Sequence, residues 1–198
     1  MMATCMSIPT EIEIKLRVDD FTELRTALVS AGATARETDR ELNMFFDRPD
    51  KSLRAEGAGL RLRWIWRNAA LEPLALLTWK GRAVPSVMHH RPSLDINVAP
   101  PEQMVALLEM LGFQRTLAFE KRRESWRLDT CRIELDHLPE LGNFVEIEAP
   151  TEAAVLAMQQ RLNLLGRPIE PQPYIAMVER HLRAHPADDN TLRFQQGR

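Results

Sequence analysis

Apolar and charged residues alternate with a period of two along much of this chain. In Glu11-Ile12-Glu13-Ile14-Lys15-Leu16-Arg17-Val18 every odd position is charged and every even one is apolar. A strand sends successive side chains to opposite faces, so Glu11, Glu13 and Lys15 share one side. The pattern returns in Leu60-Arg61-Leu62-Arg63-Trp64, in Leu77-Thr78-Trp79-Lys80, in Cys131-Arg132-Ile133-Glu134-Leu135-Asp136 and in Val145-Glu146-Ile147-Glu148. Lys121, Arg123 and Ser125 also share a parity, although Arg122 and Glu124 make that strand less regular. With extended segments near residues 42–47 and 87–98, about eight strands are expected. Four stretches have helical spacing instead. Asp20 can cap a helix over residues 21 to about 31, with Glu23 in its first turn and Gly32 as its stop. Pro100-Pro101 opens a second, apolar at Met104, Val105, Leu108 and Leu111 and closed by Gly112. Thr151 starts a third, to about residue 165 before Gly166, and a short fourth covers residues 174–182. Each helix has one apolar stripe, so it packs on something rather than sitting inside it.

Charged alternation ordinarily means a sheet with one face in water. Here the signs are grouped by strand, with acids at Glu11/Glu13, Glu134/Asp136 and Glu146/Glu148, and bases at Arg61/Arg63 and Lys121/Arg123, joined by Lys15 and Lys80. The expected fold is therefore α+β, a closed eight-stranded antiparallel β-barrel with helices packed outside and a charged lumen just wide enough for a small ligand. Carboxylates crowded there repel one another unless a cation neutralises them. Oxygen ligands without thiolate or imidazole suit Mg²⁺ or Mn²⁺. Arginines that grip phosphate through two bonds suit a polyanion. Exposed cross-strand salt bridges are the competing explanation, but at about 0–1 kcal/mol each they give no reason to segregate the signs.

Composition narrows the function classes. The 198 residues are 44% hydrophobic and 27% charged, with 26 Lys and Arg against 28 Asp and Glu. That balance lacks the basic excess of a nucleic-acid binder, and the apolar content is enough for a core. Two cysteines, Cys5 and Cys131, make neither a disulfide framework nor a four-ligand zinc site. The start MMATCMSIPT has no basic or apolar leader region and no run reaches membrane-span length, so a cytoplasmic protein without membrane contact is expected. Residues 1–10 read as a flexible lead-in, 11–183 as one domain and 184–198 as a disordered tail. His89 and His90 are adjacent and point to opposite faces of a strand, Cys131 reads as a buried small hydrophobe, and the four tryptophans fall on apolar parities. No GxxxxGK[ST], HExxH or GxSxG is present.

Glu-x-Glu-x-Lys on the first strand resembles the signature of the CYTH superfamily of triphosphate tunnel metalloenzymes. This group includes class IV adenylate cyclases, thiamine triphosphatases and inorganic triphosphatases. The resemblance continues in order through Phe45-Phe46-Asp47, Gly59-Leu60-Arg61-Leu62-Arg63, Thr78-Trp79-Lys80-Gly81, Glu120-Lys121-Arg122-Arg123, Leu135-Asp136-His137-Leu138 and Leu141-Gly142-Asn143-Phe144-Val145-Glu146-Ile147-Glu148. The last blocks are similar to the class IV cyclase branch. The resemblance implies a divalent metal, Mg²⁺ or Mn²⁺, held by Glu11, Glu13, Glu146 and Glu148 with Glu134 or Asp136 assisting. It implies phosphate contacts from Lys15, Arg61, Arg63, Lys80, Lys121 and Arg123, with Glu11, Glu13 and Lys15 as the catalytic set. Two departures stand out. Phe45-Phe46 offers no hydroxyl beside Lys15, which argues against a Lys–Tyr version of the chemistry. Where the family tends to show Arg-x-Glu-x-Glu, this chain has Arg91-Pro92-Ser93-Leu94-Asp95, and a Pro in a strand implies an edge or a bulge. Despite that departure, the resemblance implies Arg91 as a substrate contact and Asp95 as a member of the site.

The expected function is metal-dependent hydrolysis of a phosphoanhydride in tripolyphosphate or a nucleoside triphosphate, with Lys15 helping to orient or deprotonate the attacking water. Class IV cyclisation of ATP to cyclic AMP and pyrophosphate is the alternative, and a non-catalytic polyphosphate- or nucleotide-binding module is a third. The expected partner is a small-molecule triphosphate, with a homodimer left open.

Overall fold

The period-two segments all become strands, and their apolar positions turn to the outside of one curled sheet. The structure, a computed structural model, describes residues 10–82 and 89–195, with the backbone alone for residues 10, 11, 89 and 90. Most of the lead-in, Cys5 included, lies outside the described residues. In chain order the elements are β1 (Thr10–Val18), α1 (Thr22–Ser30), β2 (Thr34–Asp47), α2 (Ser52–Ala55), β3 (Gly59–Arg67), β4 (Leu74–Lys80), β5 (His89–Val98), α3 (Pro101–Met110), β6 (Gln114–Leu128), β7 (Cys131–Leu138), β8 (Gly142–Ala149), α4 (Glu152–Arg161), α5 (Tyr174–Ala184) and β9 (Thr191–Leu192). No helix among the described residues is long and apolar enough to cross a membrane.

Strand order is β2-β3-β4-β5-β1-β8-β7-β6-β9, and β2 is also registered against β6 over 12 residue pairs. The seam between β1 and β5 is thinner, with 4 pairs from Thr10↔Pro92 to Glu13↔His89. Past it, β1 is bordered by residues 168–170 instead. Arg17 N donates to Pro168 O and Glu170 N to Lys15 O, both at 2.9 Å. The fold is thus α+β on a deeply curled antiparallel sheet that is open along one seam, so the expected helices and curled sheet are met but the closed eight-stranded barrel is not. Pro92 lies at the change of partner. Strand β5 pairs with β1 through residues 89–92 and with β4 through 93–98. Proline, which has no N–H to donate, stands where the pairing passes from one neighbour to the other, not in an edge strand.

Two apolar clusters cover the outer face. Ile14, Leu16, Ile133, Leu135, Val145 and Ile147 meet Leu24 and Leu28 of α1 and Val155 and Met158 of α4. Leu62, Met44 and Ala118 meet Leu108 of α3. Burying such side chains contributes about 1.5–3 kcal/mol each, so the alternation itself sets which face turns inward. Asp20 accepts from Thr22 N at 2.7 Å, but the N-cap is Phe21, one residue past the expected Asp20, and makes no side-chain capping bond. Helix α4 stops at Arg161, short of residue 165, because Asn163 turns left-handed (φ 56°) and Leu164 N closes back on Gln159 O at 2.8 Å. Helix α5 departs from the expected outside packing. Met177, Val178 and Leu182 join Leu117, Phe119, Leu138 and Phe144, while its first turn faces the inside of the sheet.

The expected disordered tail is instead docked as far as residue 195. Strand β9 pairs in parallel with β6 at Ala118 and Phe119, Thr191 and Leu192 are buried, and the Phe194 ring stacks on His137 at 5.3 Å. Two apolar residues in a polar stretch are too few to give a periodic signal.

Candidate functional site

The inner face of the sheet encloses a cavity of about 1190 Å³. Glu13, Lys15, Arg61, Arg63, Lys80, Arg91, Lys121, Arg123, Glu134, Glu146 and Glu148 all line it. Residues far apart in sequence are thus gathered on one wall, as the parity argument required. Asp136 is the exception: it is on the same face but fully buried there under Lys121, Arg123 and Tyr174. Glu11 is placed by its backbone opposite Arg91, and its side chain lies outside the described residues.

The charges form a ladder across strands. Glu41 on β2, buried at 1% exposure, pairs with Arg63 at 3.2 Å and Lys121 at 3.3 Å. Lys121 also reaches Asp136 at 3.2 Å. Arg123 Nε donates to Asp136 Oδ1 at 2.6 Å, and its Nη2 donates to Glu146 Oε2 at 2.6 Å. Arg132 bridges Glu134 at 3.1 Å and Glu148. These are largely buried pairs, so the salt-bridge explanation set aside on the energetics of exposed pairs is partly correct. Breaking a buried pair leaves an uncompensated charge at a cost of about 3–5 kcal/mol. Burial alone would raise the Glu146 carboxyl, but Arg123, Lys15, Lys121 and Lys80 outweigh it and bring its pKa down to about 2. Burial prevails at Glu134, holding it above the usual carboxylate value against Arg123 and the Ser125 hydroxyl. Asp39 is pushed up to about 6 by burial, with Glu41 and Glu37 adding to it against Arg67.

The β3–β4 wall differs. Burial and the neighbouring Arg63 pull the Arg61 guanidinium down to about 10. The Nε atoms of Arg61 and Arg63 are both buried without a hydrogen-bond partner. Arg61 Nη2 reaches only the Thr78 hydroxyl, at 3.4 Å. Arg91 is more fully used: Nε and Nη2 donate to Gly81 O at 3.0 and 2.8 Å, and Nη2 also to Gly57 O at 3.2 Å. Gly81 fits here because a Cβ would fall 2.6 Å from the Pro92 ring. Arg91 therefore clamps two loops as well as lining the cavity.

Two groups escaped the sequence reading. Glu37, Asp39, Glu41 and Asn43 share one parity on β2, a signal present in the sequence but hidden by the apolar run that follows. Their strand lies between basic β3 and basic β6. Tyr174, the single tyrosine, was assigned to a helix and to no site. Its ring lies 4.2 Å below Lys15 Nζ and its hydroxyl donates to Asp136 Oδ2 at 2.9 Å. A hydroxyl-bearing ring therefore does stand by Lys15, supplied by α5 and not by the strand of Phe45 and Phe46. Burial, with Asp136 and Glu146 nearby, holds the Tyr174 hydroxyl well above its ordinary pKa.

The CYTH domain model matches residues 9–166. The chain belongs to the CYTH family. An Aeromonas hydrophila protein named adenylate cyclase CyaB is 25% identical over 186 residues, covering 87% of this chain and 90% of its own. A solved Pyrococcus horikoshii protein superimposes with TM-score 0.74 at 22% identity, over 86% of this chain and 99% of its own. A Hippeastrum protein, a proposed adenylyl cyclase with a dominant triphosphatase activity, does so with TM-score 0.62 at 21% identity, over 86% and 96%.

CYTH proteins are generally metal-dependent. Among the described residues no cluster of three or more acidic side chains is drawn together at ligating distance. The donor chemistry nevertheless fits a hard cation. Glu13 pairs with Glu148 across β1 and β8, and Glu134 with Glu146 across β7 and β8. Like charges directly opposite are destabilising, and in this CYTH chain Arg132 and Arg123 supply the compensation a divalent ion would otherwise provide.

Proposed function

We propose that this CYTH enzyme binds the triphosphate of a small molecule in the cavity and hydrolyses one of its phosphoanhydride bonds. The observation that carries the reading is the pair of buried, partnerless Nε atoms of Arg61 and Arg63 beside Lys80, Lys15 and Lys121. An unsatisfied buried donor on a charged group costs more than a neutral one, and an anionic oxygen satisfies it at no further cost in protein order. Registered pairing of β2 with β6 supports the finer picture of a tunnel that excludes water around the anion.

Glu13, Glu134, Glu146 and Glu148 would hold Mg²⁺ or Mn²⁺, which when bound withdraws charge from phosphate oxygens. Phosphoryl transfer asks the protein mainly for position and charge. Arg61, Arg63 and Lys80 grip the oxygens of one end of the chain of phosphates. Lys15, held over the Tyr174 ring, orients a phosphate oxygen or the attacking water. Arg123 and Lys121, already committed to Asp136, Glu146 and Glu41, fix the acidic wall and lend their field more than their hydrogen bonds.

The adenylate cyclase name of the Aeromonas relative favours a second reading, in which the 3′-oxygen of ATP attacks the α-phosphorus and pyrophosphate leaves. Incubation with tripolyphosphate, ATP and thiamine triphosphate under Mg²⁺ or Mn²⁺, with both phosphate and cyclic AMP measured, separates the two. Phosphate release that stops in EDTA and falls by orders of magnitude in Glu13→Gln is expected. Undiminished release in EDTA, or none from any of the three, overturns hydrolysis.

A further inference from the structure

Both ends of strand β2 line the cavity. At one end Asp47 accepts from Leu53 N and Arg54 N of α2, at 3.0 Å each. At the other end Arg36 and Glu37 both line it, although consecutive residues of a regular strand point to opposite faces. The register against β6 shifts between Ala35↔Trp126 and Thr38↔Glu124, which sets Arg36 and Glu37 together opposite Ser125. A bulge of this kind re-aims a side chain, and here it brings Arg36 to the cavity. Arg127, two residues past Ser125, lines the cavity too and is registered directly against Arg132 of β7. Like charges so placed are destabilising.

The neighbouring carboxylates are committed elsewhere. Glu37 holds Arg67 at 3.1 Å and Asp129 holds Arg161 at 2.6 Å. Glu124 is gripped by Arg25, and Glu148 by Arg132. Among the described residues no hydrogen bond or ion pair engages Arg36 or Arg127, and both are exposed at the rim. A solvated arginine needs no partner. Solubility does not explain a bulge that turns one inward, beside a second that already opposes Arg132. The level at which they stand is informative. Lys15 is registered with Glu146, Glu146 with Glu134 and Glu134 with Ser125. Arg36 therefore continues the rung of the lysine that orients the attacking water in the reading above, and Arg127 lies roughly 7 Å beyond it, away from α2.

We infer that Arg36 and Arg127 form a second anion station, at the rim away from α2, which takes up orthophosphate as it leaves. Hydrolysis of tripolyphosphate adds water across one P–O–P link and yields orthophosphate and pyrophosphate. Pyrophosphate stays on Arg61, Arg63 and Lys80, while orthophosphate is freed at the rung of Lys15, next to two guanidiniums whose paired N–H donors suit an oxyanion. The inference rests on the hydrolysis reading above.

The test is a thermal-melt titration of the full chain at constant ionic strength with Mg²⁺, with pyrophosphate to saturation and then with orthophosphate. It is run on the wild type, Arg36→Gln and Arg127→Gln. Orthophosphate raises the melting temperature of the pyrophosphate-saturated wild type further. The orthophosphate concentration for half that rise increases about tenfold in each variant, the scale of one charge-assisted hydrogen bond, and the pyrophosphate value stays within about twofold. No further rise in the wild type, equal orthophosphate values in all three proteins, or orthophosphate and pyrophosphate values that shift together overturn the station and leave the hydrolysis reading standing. Absence of phosphate release from tripolyphosphate under Mg²⁺ or Mn²⁺ overturns hydrolysis itself, and the station with it.

Discussion

The two halves of the cavity wall treat charge in opposite ways. From β3 through β2 and β6 to β7, cations and carboxylates alternate between neighbouring strands, and Arg123 of β6 reaches on to Glu146 of β8. Glu41, Lys121, Asp136, Arg123 and Glu146 form one buried chain of ion pairs. From β3 to β4 the neighbour of the arginine strand offers Thr78, Leu76 and Lys80, so Arg61 and Arg63 keep partnerless donors. The first half pairs its charges within the fold, Arg63 closing the chain at Glu41. The second half leaves two buried guanidinium Nε atoms without a partner. A charged residue in the cavity is thus not by that fact a ligand contact, and its cross-strand neighbour decides which role it takes.

The largest effect that tests this contrast is on stability. Arg123→Met strands Asp136 and Glu146 in the interior and should lower unfolding free energy by about 3–5 kcal/mol in urea titrations. A loss under 1 kcal/mol would mean that the ladder does not hold the fold.

Arg61→Gln should do the opposite. Its melting temperature without ligand is expected to stay level or rise, because the fold already disfavours that cation. Stabilisation by tripolyphosphate and Mg²⁺ should fall by roughly 1.5–3 kcal/mol, the scale of a charge-assisted hydrogen bond. A destabilised Arg61→Gln that binds normally would erase the distinction between the two walls.

Asp39 gives a smaller effect with a fixed sign. Its carboxyl is raised from 3.8 to about 6 in the fold, so the ionised form is penalised and stability falls as pH rises from about 4 to about 6. Asp39→Asn removes that penalty and should melt higher than the wild type at pH 7 and level with it at pH 4. A difference of equal size at both pH values would show that the gain is unrelated to ionisation.

The smallest change is expected where a pair is wet. Arg54 on α2 grips Glu179 on α5 with 2.6 and 3.0 Å bonds, but Arg54 is 60% exposed. Arg54→Ala should cost at most about 1 kcal/mol by thermal melt, and a larger loss would place a third structural clasp beside the ladder.

Sequence by itself determined the strands, the inward face of each and the grouping of nearly all the site residues. A period of two admits only one way to bury Ile14, Leu16, Leu62, Ile133 and Ile147, and burying them sends Glu13, Lys15, Arg61, Arg63, Glu134 and Glu146 to the other side. Helix starts were readable to within about a residue, at Thr22, Pro101, Glu152 and Tyr174, whereas the end of α4 and the whole of α2 were not. Tertiary structure decided the rest, because it depends on which strands become neighbours. Only the placement of β2 between β3 and β6 makes Glu41 the partner of Arg63 and Lys121. The docking of α5 alone brings Tyr174 under Lys15 across more than 150 residues of chain, and pairing alone shows that β5 changes partner at Pro92. Side-chain parity is a property of the backbone of one strand, whereas a charge's partner belongs to the next strand, and no single stretch of sequence names its neighbour.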